Sequence, residues 1–230
     1  VYVVESRYDE FVQLTVEEAK KLDVGYSEAI ESPYYLGPMT FGRQVEVVDR
    51  HLADAQAKGA RALCGGKREG QFYDPIVLVD VDHTMLVMQE ETFGPVIPIM
   101  KVKDEAEAIR LANDNLFGLG ASVWTNDLSR ARRVLSQLQA GCALANDSIA
   151  QFAVPMLPFG GVKQSGFGRI HGKEGLMQFV QPYGYAVSGP PVPFDIATIA
   201  RKPGHYRLLQ RIMQALFGVG LRQKWQAVRG

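Results

Sequence analysis

Glu90-Glu91-Thr92-Phe93-Gly94-Pro95 sets two adjacent carboxylates and an aromatic ring just ahead of a β-type run, with Gly and Pro fixing the backbone between them. A carboxylate in that setting can accept hydrogen bonds from both hydroxyls of a ribose, and the ring offers an apolar face to a flat heterocycle. Spacing alone favours a plainer reading, a solvated acidic turn with a core phenylalanine. The second stretch is Pro158-Phe159-Gly160-Gly161-Val162-Lys163-Gln164-Ser165-Gly166-Phe167-Gly168-Arg169. Gly161 to Gly166 has P-loop spacing, but no Lys-Ser/Thr pair follows. Gly166-Phe167-Gly168 opens like a dinucleotide fingerprint, yet Gly172 comes one place late and no strand directly precedes it. Both phosphate-cradling readings fail. The glycines then imply positive φ or close backbone approach, either at a site wall or in a crowded structural turn.

Metal chemistry is not expected. Cys64 and Cys142 lie far apart with neither a Cys-x-x-Cys pair nor a neighbouring histidine, and His51, His83, His171 and His205 lack the i,i+4 spacing that sets two imidazoles on one helix face. The same two cysteines give no disulfide framework and favour a reducing, cytoplasmic setting. Lys and Arg total 25 against 25 Asp and Glu, so no overall field points to nucleic acid. The longest apolar runs, such as Ala215 to Leu221, fall well short of the ~20 residues that cross a bilayer. Val1-Tyr2-Val3-Val4 has neither an initiator Met nor a secretory layout, so an upstream part removed by processing, truncation or incomplete coverage is expected.

The elements that must position these stretches follow from periodicity and punctuation. Thr40 is expected to cap a helix whose apolar positions Val45, Val48, Leu52 and Ala55 run to a left-handed stop at Gly59. Ile76 to Val79 and Val96 to Val102 read as strands. Asp104 with Glu107 resembles a capping box, opening a helix with Ala108, Ile109, Ala112 and Leu116 on one side. Ala121 to Trp124 is a short strand, Asp127 caps a helix that Gly141 closes, and Cys142 to Asn146 is a further strand. The alternation from Val96 to Asn146 predicts an α/β fold with a mostly parallel sheet flanked by helices. Gln151 to Gly175 reads as an ordered functional loop leading into a short helix, Lys173 to Val180. Gly189-Pro190-Pro191-Val192-Pro193 marks a boundary, giving domains at 1–189 and 190–230.

Glu-Glu-x-Phe-Gly-Pro followed by Pro-Phe-Gly-Gly-x-Lys-x-Ser-Gly-x-Gly-Arg resembles the aldehyde dehydrogenase superfamily, and Asn113 to Leu119, Val123 to Asp127, Ala140-Gly141 and Asn146 fit its pattern. The resemblance covers residues 1 to 187. It implies a catalytic-domain portion of a protein that oxidises an aldehyde with NAD or NADP through a cysteine thiolate. In that family the nucleophile, the glutamate base and the Rossmann half would all lie upstream of Val1, so no catalytic residue is assigned here and this chain alone is expected to be inactive. The resemblance implies that Glu91 holds the nicotinamide ribose, that Phe93 packs beside the nicotinamide, and that Phe159 borders the substrate tunnel. A core role anchoring the glycine loop fits Phe159 equally. Ile149, Phe152, Val154 and Met156 suggest an apolar channel suited to a semialdehyde or aliphatic aldehyde, with no Lys or Arg in that loop to mark a carboxylate-bearing substrate. Asn146, Gly160 and Gly161 would brace the active-site loop. The family also implies a homo-oligomer, with an interface strand at Tyr183 to Ser188.

Between Arg201 and Arg229 stand seven Lys or Arg and no acid, interleaved with Leu208, Leu209, Ile212, Met213, Leu216, Phe217 and Trp225. A basic amphipathic helix there could lie on an anionic membrane or pack on this chain or a neighbouring subunit. A non-catalytic paralogue, oligomerising with or regulating a complete enzyme, is the alternative function.

Overall fold

The computed structural model describes residues 1–187, 204–218 and 220. Strand β1 (Tyr2–Val4) runs directly into helix α1 (Glu5–Ala19), which the sequence expectations do not contain. Val4 occupies the cap position and makes no side-chain cap, so the usual polar start signal is missing. Helix α2 (Gly42–Ala57) corrects the Thr40 cap: Phe41 stands at the N-terminus in extended backbone, with no side-chain hydrogen bond. Its end is as expected, with Gly59 at φ +101.

Strands β2 (Arg61–Cys64), β3 (Arg68–Glu69), β4 (Phe72–Tyr73) and β5 (Ile76–Val79) follow, then the single-turn helix α3 (Leu86–Gln89). Cys64 ends strand β2 and is not in a turn. β5 is buried at all four positions because it lies between two helical layers. Successive residues of a strand face opposite ways. Ile76 and Leu78 accordingly pack with Val45, Val48 and Ala55 of α2, whereas Val77 packs with Tyr8 and Ala19 of α1. Each buried Val, Ile or Leu among these contributes about 1.5–3 kcal/mol.

The expected strand from Val96 to Val102 forms as β6 (Val96–Pro98) and β7 (Met100–Val102), split at Ile99, where the chain changes its pairing partner. Between them Ile99 N–H still donates to the Leu78 carbonyl at 2.8 Å. β6 pairs parallel with β5, β7 parallel with β1, and β5 antiparallel with β2.

In α4 (Glu105–Asn113), Asp104 accepts from Glu107 N–H at 2.8 Å, while the Glu107 carboxylate turns back to Lys103 N–H at 2.8 Å. Leu116 lies beyond the helix end and is exposed, contrary to its expected inward place. Then come β8 (Phe117–Gly118), β9 (Gly120–Val123), α5 (Leu128–Leu135) and β10 (Cys142–Ala145). Asp127 caps α5 through Ser129 and Arg130 N–H, and these bonds hold its carboxyl below the usual range. β9 and β10 are parallel, as the strand-helix-strand unit requires. α6 (Ala150–Ala153), β11 (Val162–Lys163) and α7 (Gly172–Met177) complete this part, β11 pairing antiparallel with β8.

The chain divides into two compact units, 1–181 and 182–230. Residues 183–187 form no strand, and Ser188 lies outside the described residues, as do Gly189 to Pro193. The second unit contains helix α8 (His205–Phe217), which Gly218 ends.

Candidate functional site

The turn carrying Glu91 and Phe93 is held from below by α2. His51 is fully buried on the stripe that also presents Val48 and Ala55. Its Nδ1 lies 3.0 Å from Thr92 Oγ1 and its Nε2 lies 3.2 Å from Glu90 Oε2. Arg50 donates to the same Glu90 oxygen at 2.5 Å, and Gln44 donates to the Thr92 carbonyl at 2.5 Å. Gly94 sits over Val48, where a Cβ would come within 2.5 Å of a Val48 methyl. Thr92 therefore faces the protein, and the half-exposed Glu90 is tied back to α2. Glu91 and Phe93 between and beyond them face outward.

Phe93 is 75% exposed and sits at φ +42, a backbone state that non-glycine residues seldom adopt. Glu91 is exposed and makes no hydrogen bond or ion pair among the described residues. The solvated acidic turn of the plainer reading is thus half right, but its phenylalanine is not in the core.

The glycine-rich loop is fixed by carbonyl capture. Lys163, at φ +55, donates from Nζ to the Asn113 and Asn115 carbonyls at 2.7 and 2.9 Å. Arg169 donates from Nη1 to the Gly161 and Gly168 carbonyls, each at 2.7 Å. Ser165 Oγ accepts from Gly118 N–H at 3.0 Å. A Cβ on Gly160 would run into the Gly168 carbonyl, and one on Gly161 would lie 2.5 Å from Ser165 Cβ, so both positions require close backbone approach. Phe159 and Ile170 exchange backbone hydrogen bonds at 2.7 Å, which holds the two arms of the loop together.

Phe152, 57% exposed on α6, meets Phe159 edge-on at 5.6 Å and tilts toward His171 at 6.1 Å. Asp147 accepts from Ile149 and Ala150 N–H, which set the start of α6 and hold its carboxyl low. Asn146, at φ +55, accepts from Thr125 N–H at 2.8 Å and donates to the Thr125 carbonyl at 2.9 Å. Its side chain clasps the β9 exit to the β10 exit.

Among the described residues no hydrogen bond or aromatic pair joins Glu91 or Phe93 to Phe152 or Phe159. Asn115 connects their supports: its Nδ2 donates to the Met88 carbonyl of α3 at 3.3 Å, while its own carbonyl receives Lys163. Four of the five non-glycine residues at positive φ among the described residues, Phe93, Asn146, Lys163 and His171, lie in these segments. Such strain gathers where a fold over-determines a functional site. His51, Gln44 and the carbonyl-capturing role of Lys163 have no counterpart in the sequence expectations. The signal for His51 was present, since it falls on the apolar stripe three residues after Val48 and four before Ala55.

Neither cysteine is arranged as a nucleophile. Cys142 is buried in β10, its thiol directed at the Pro158 and Gly160 carbonyls, and Cys64 points to the Pro75 carbonyl. Neither thiol has a histidine or other general base among its hydrogen-bond partners. No cluster of three metal-ligating side chains occurs among the described residues.

The family model for the aldehyde dehydrogenase family matches residues 1–183. 4,4'-Diapolycopene aldehyde oxidase of a Methylomonas species is 46% identical over 182 residues, 79% of this chain and 34% of that protein. The NADP(+) succinate-semialdehyde dehydrogenase GabD of Escherichia coli K12 is 40% identical, over 79% of this chain and 37% of its own length. Betaine aldehyde dehydrogenase from Staphylococcus aureus, solved in complex with NAD+, superposes with a TM-score of 0.72 at 34% identity, covering 77% of this chain and 36% of that one. The chain spans about a third of the length of the curated relatives it matches.

Proposed function

The chain belongs to the aldehyde dehydrogenase family, and from that membership we propose that the whole protein oxidises an aldehyde to a carboxylic acid with NAD or NADP. The observation that carries this reading is the outward Glu91-Phe93 pair on a turn pinned by His51, Arg50 and Gln44. An unpartnered carboxylate beside an exposed ring fits a nicotinamide riboside, with Glu91 accepting from the ribose hydroxyls and Phe93 covering the ring face. The cofactor, when bound, supplies the hydride acceptor. Phe152 and Phe159 form an apolar wall for the aldehyde, and Asn146, Gly160 and Gly161 keep the backbone around it in place. Preorganisation of this kind is what positions a reacting carbon without cost at the moment of reaction.

The nucleophile is not Cys64 or Cys142, so the 230 residues by themselves do not turn over an aldehyde. The substrate is an apolar aldehyde. The 149–157 loop carries Ile149, Phe152, Val154 and Met156 at exposed positions and no basic residue, and the 46% identical relative is named for 4,4'-diapolycopene aldehyde. The protein acts as a homo-oligomer in the cytoplasm, where two free cysteines stay reduced.

The test is aldehyde-dependent reduction of NAD and NADP by the full-length protein, comparing decanal with succinic semialdehyde. A higher kcat/KM for decanal supports the reading. Reduction with succinic semialdehyde alone would overturn the substrate class, and reduction with neither would overturn the activity.

A further inference from the structure

Helix α8 separates its residues by type. At 100° per residue, Arg207, Gln210, Arg211 and Gln214 share one side, and Leu208, Leu209, Ile212, Met213, Ala215, Leu216 and Phe217 occupy the rest with Tyr206. The apolar sector is uncovered at its C-terminal end, where Leu216 and Phe217 are 62% and 70% exposed and Met213 is also exposed. A helix of 13 residues is marginal in water on propensity alone, so this one gains from a surface that takes up its apolar side. Contiguous exposed apolar side chains of this kind mark an interaction site.

Charge excludes a like-charged surface and leaves an anionic lipid surface or the acidic remainder of the chain, whose residues 1–200 hold 18 basic against 25 acidic residues; the layout of the helix then selects lipid. Residues 201–229 hold seven of the chain's 25 basic residues and none of its 25 acidic ones. A second copy of this segment would bring like charge against like charge. An anionic lipid surface has the complementary sign, at about 1 kcal/mol for each Lys or Arg near it. Arginines on the polar side with Leu, Phe and Tyr opposite are the layout of a helix lying in the plane of the interface. No described helix is long and apolar enough to cross a bilayer.

We propose that α8 docks the protein on an anionic lipid surface, with Met213, Leu216 and Phe217 inserted among the acyl chains and Arg207 and Arg211 at the headgroups. The docking is independent of catalysis, and its failure would leave the dehydrogenase reading standing.

The test is co-sedimentation of the full chain with phosphatidylcholine vesicles, with and without phosphatidylglycerol. Binding is expected to the mixed vesicles, to weaken as salt rises, and to fall by about ten-fold or more in Leu216→Glu/Phe217→Glu. Arg207→Gln/Arg211→Gln keeps the apolar side and is expected to lose the preference for phosphatidylglycerol. Equal sedimentation with both vesicle types, or undiminished binding by the Leu216→Glu/Phe217→Glu variant, would overturn the proposal. So would concentration-dependent self-association that this variant abolishes in the absence of vesicle binding, since a second copy would then be the occupant.

Discussion

His51 Nδ1 lies 3.0 Å from Thr92 Oγ1, joining a helix and a turn that are 41 residues apart in sequence. Because Thr92 is drawn inward, its neighbours Glu91 and Phe93 are left to face outward. The imidazole also reaches Glu90 at 3.2 Å, so a single buried side chain contacts two residues of the turn.

Replacing His51 by leucine retains bulk but strands the Thr92 hydroxyl. The expected loss is about 1–3 kcal/mol, measured as a lower urea midpoint at unchanged slope. Thr92→Val in the same background should recover part of that loss, because removing both partners costs less than orphaning one. Losses that simply add in the double variant would show that the two side chains are not coupled.

Gly141 and Gly42 should respond oppositely to alanine. A Cβ at Gly141 would run into the Gly160 carbonyl and lie 3.0 Å from Gly161 Cα, all backbone that has no rotamer to yield. Gly42 opens α2 and has nothing within 4 Å of an added Cβ. Gly141→Ala should lower the melting temperature, with a cost of about 1–3 kcal/mol. Gly42→Ala should raise stability by roughly 0.5 kcal/mol through the unfolded chain. Thermal melts of the two variants side by side decide this.

His83 links stability to pH. Burial holds its imidazole below the ordinary value of 6.5, against the opposing pull of Asp114. Tyr2 O–H lies 2.7 Å from His83 Nε2, and burial and Asp114 push that phenol up to about 12. With the folded value depressed, the unfolded chain takes up the proton first on acidification. The contribution is therefore complete above pH 6.5 and is lost as pH falls through the folded value. Urea midpoints should decline below pH 6.5, and His83→Gln should flatten that decline. An identical slope in His83→Gln would assign it to other groups.

Local signals were legible in the sequence where the chemistry is local. Asp104 and Asp127 bond N–H groups two or three residues away, so type and spacing sufficed. Thr40 has the right type, but the chain stays extended through Phe41 and the helix starts beyond its reach. Helix α1 went unread because Val4 gives no cap signal and Phe11 and Leu14 are exposed, which blurs its periodicity. Residues 183–187 form no strand within this chain, as an edge needs a partner to pair with. At the candidate site, the residue types of Glu91, Phe93 and the glycines were legible. Their supports were not, since His51 and Lys163 act through contacts 39 to 50 residues away.

The most direct measurement compares Glu91→Gln with Glu90→Gln in the full-length protein, following cofactor affinity, the rate of aldehyde-dependent cofactor reduction, and melting temperature. Glu90 is held by Arg50 and His51, whereas Glu91 faces outward. Glu91→Gln should lower cofactor affinity or reduction rate by about ten-fold, the scale of one lost charge-assisted hydrogen-bond pair, with stability unchanged. Glu90→Gln should do the reverse, lowering the melting temperature first. A Glu91→Gln enzyme that binds cofactor and reduces it at the parent rate would contradict the ribose role, and with it the account of this turn.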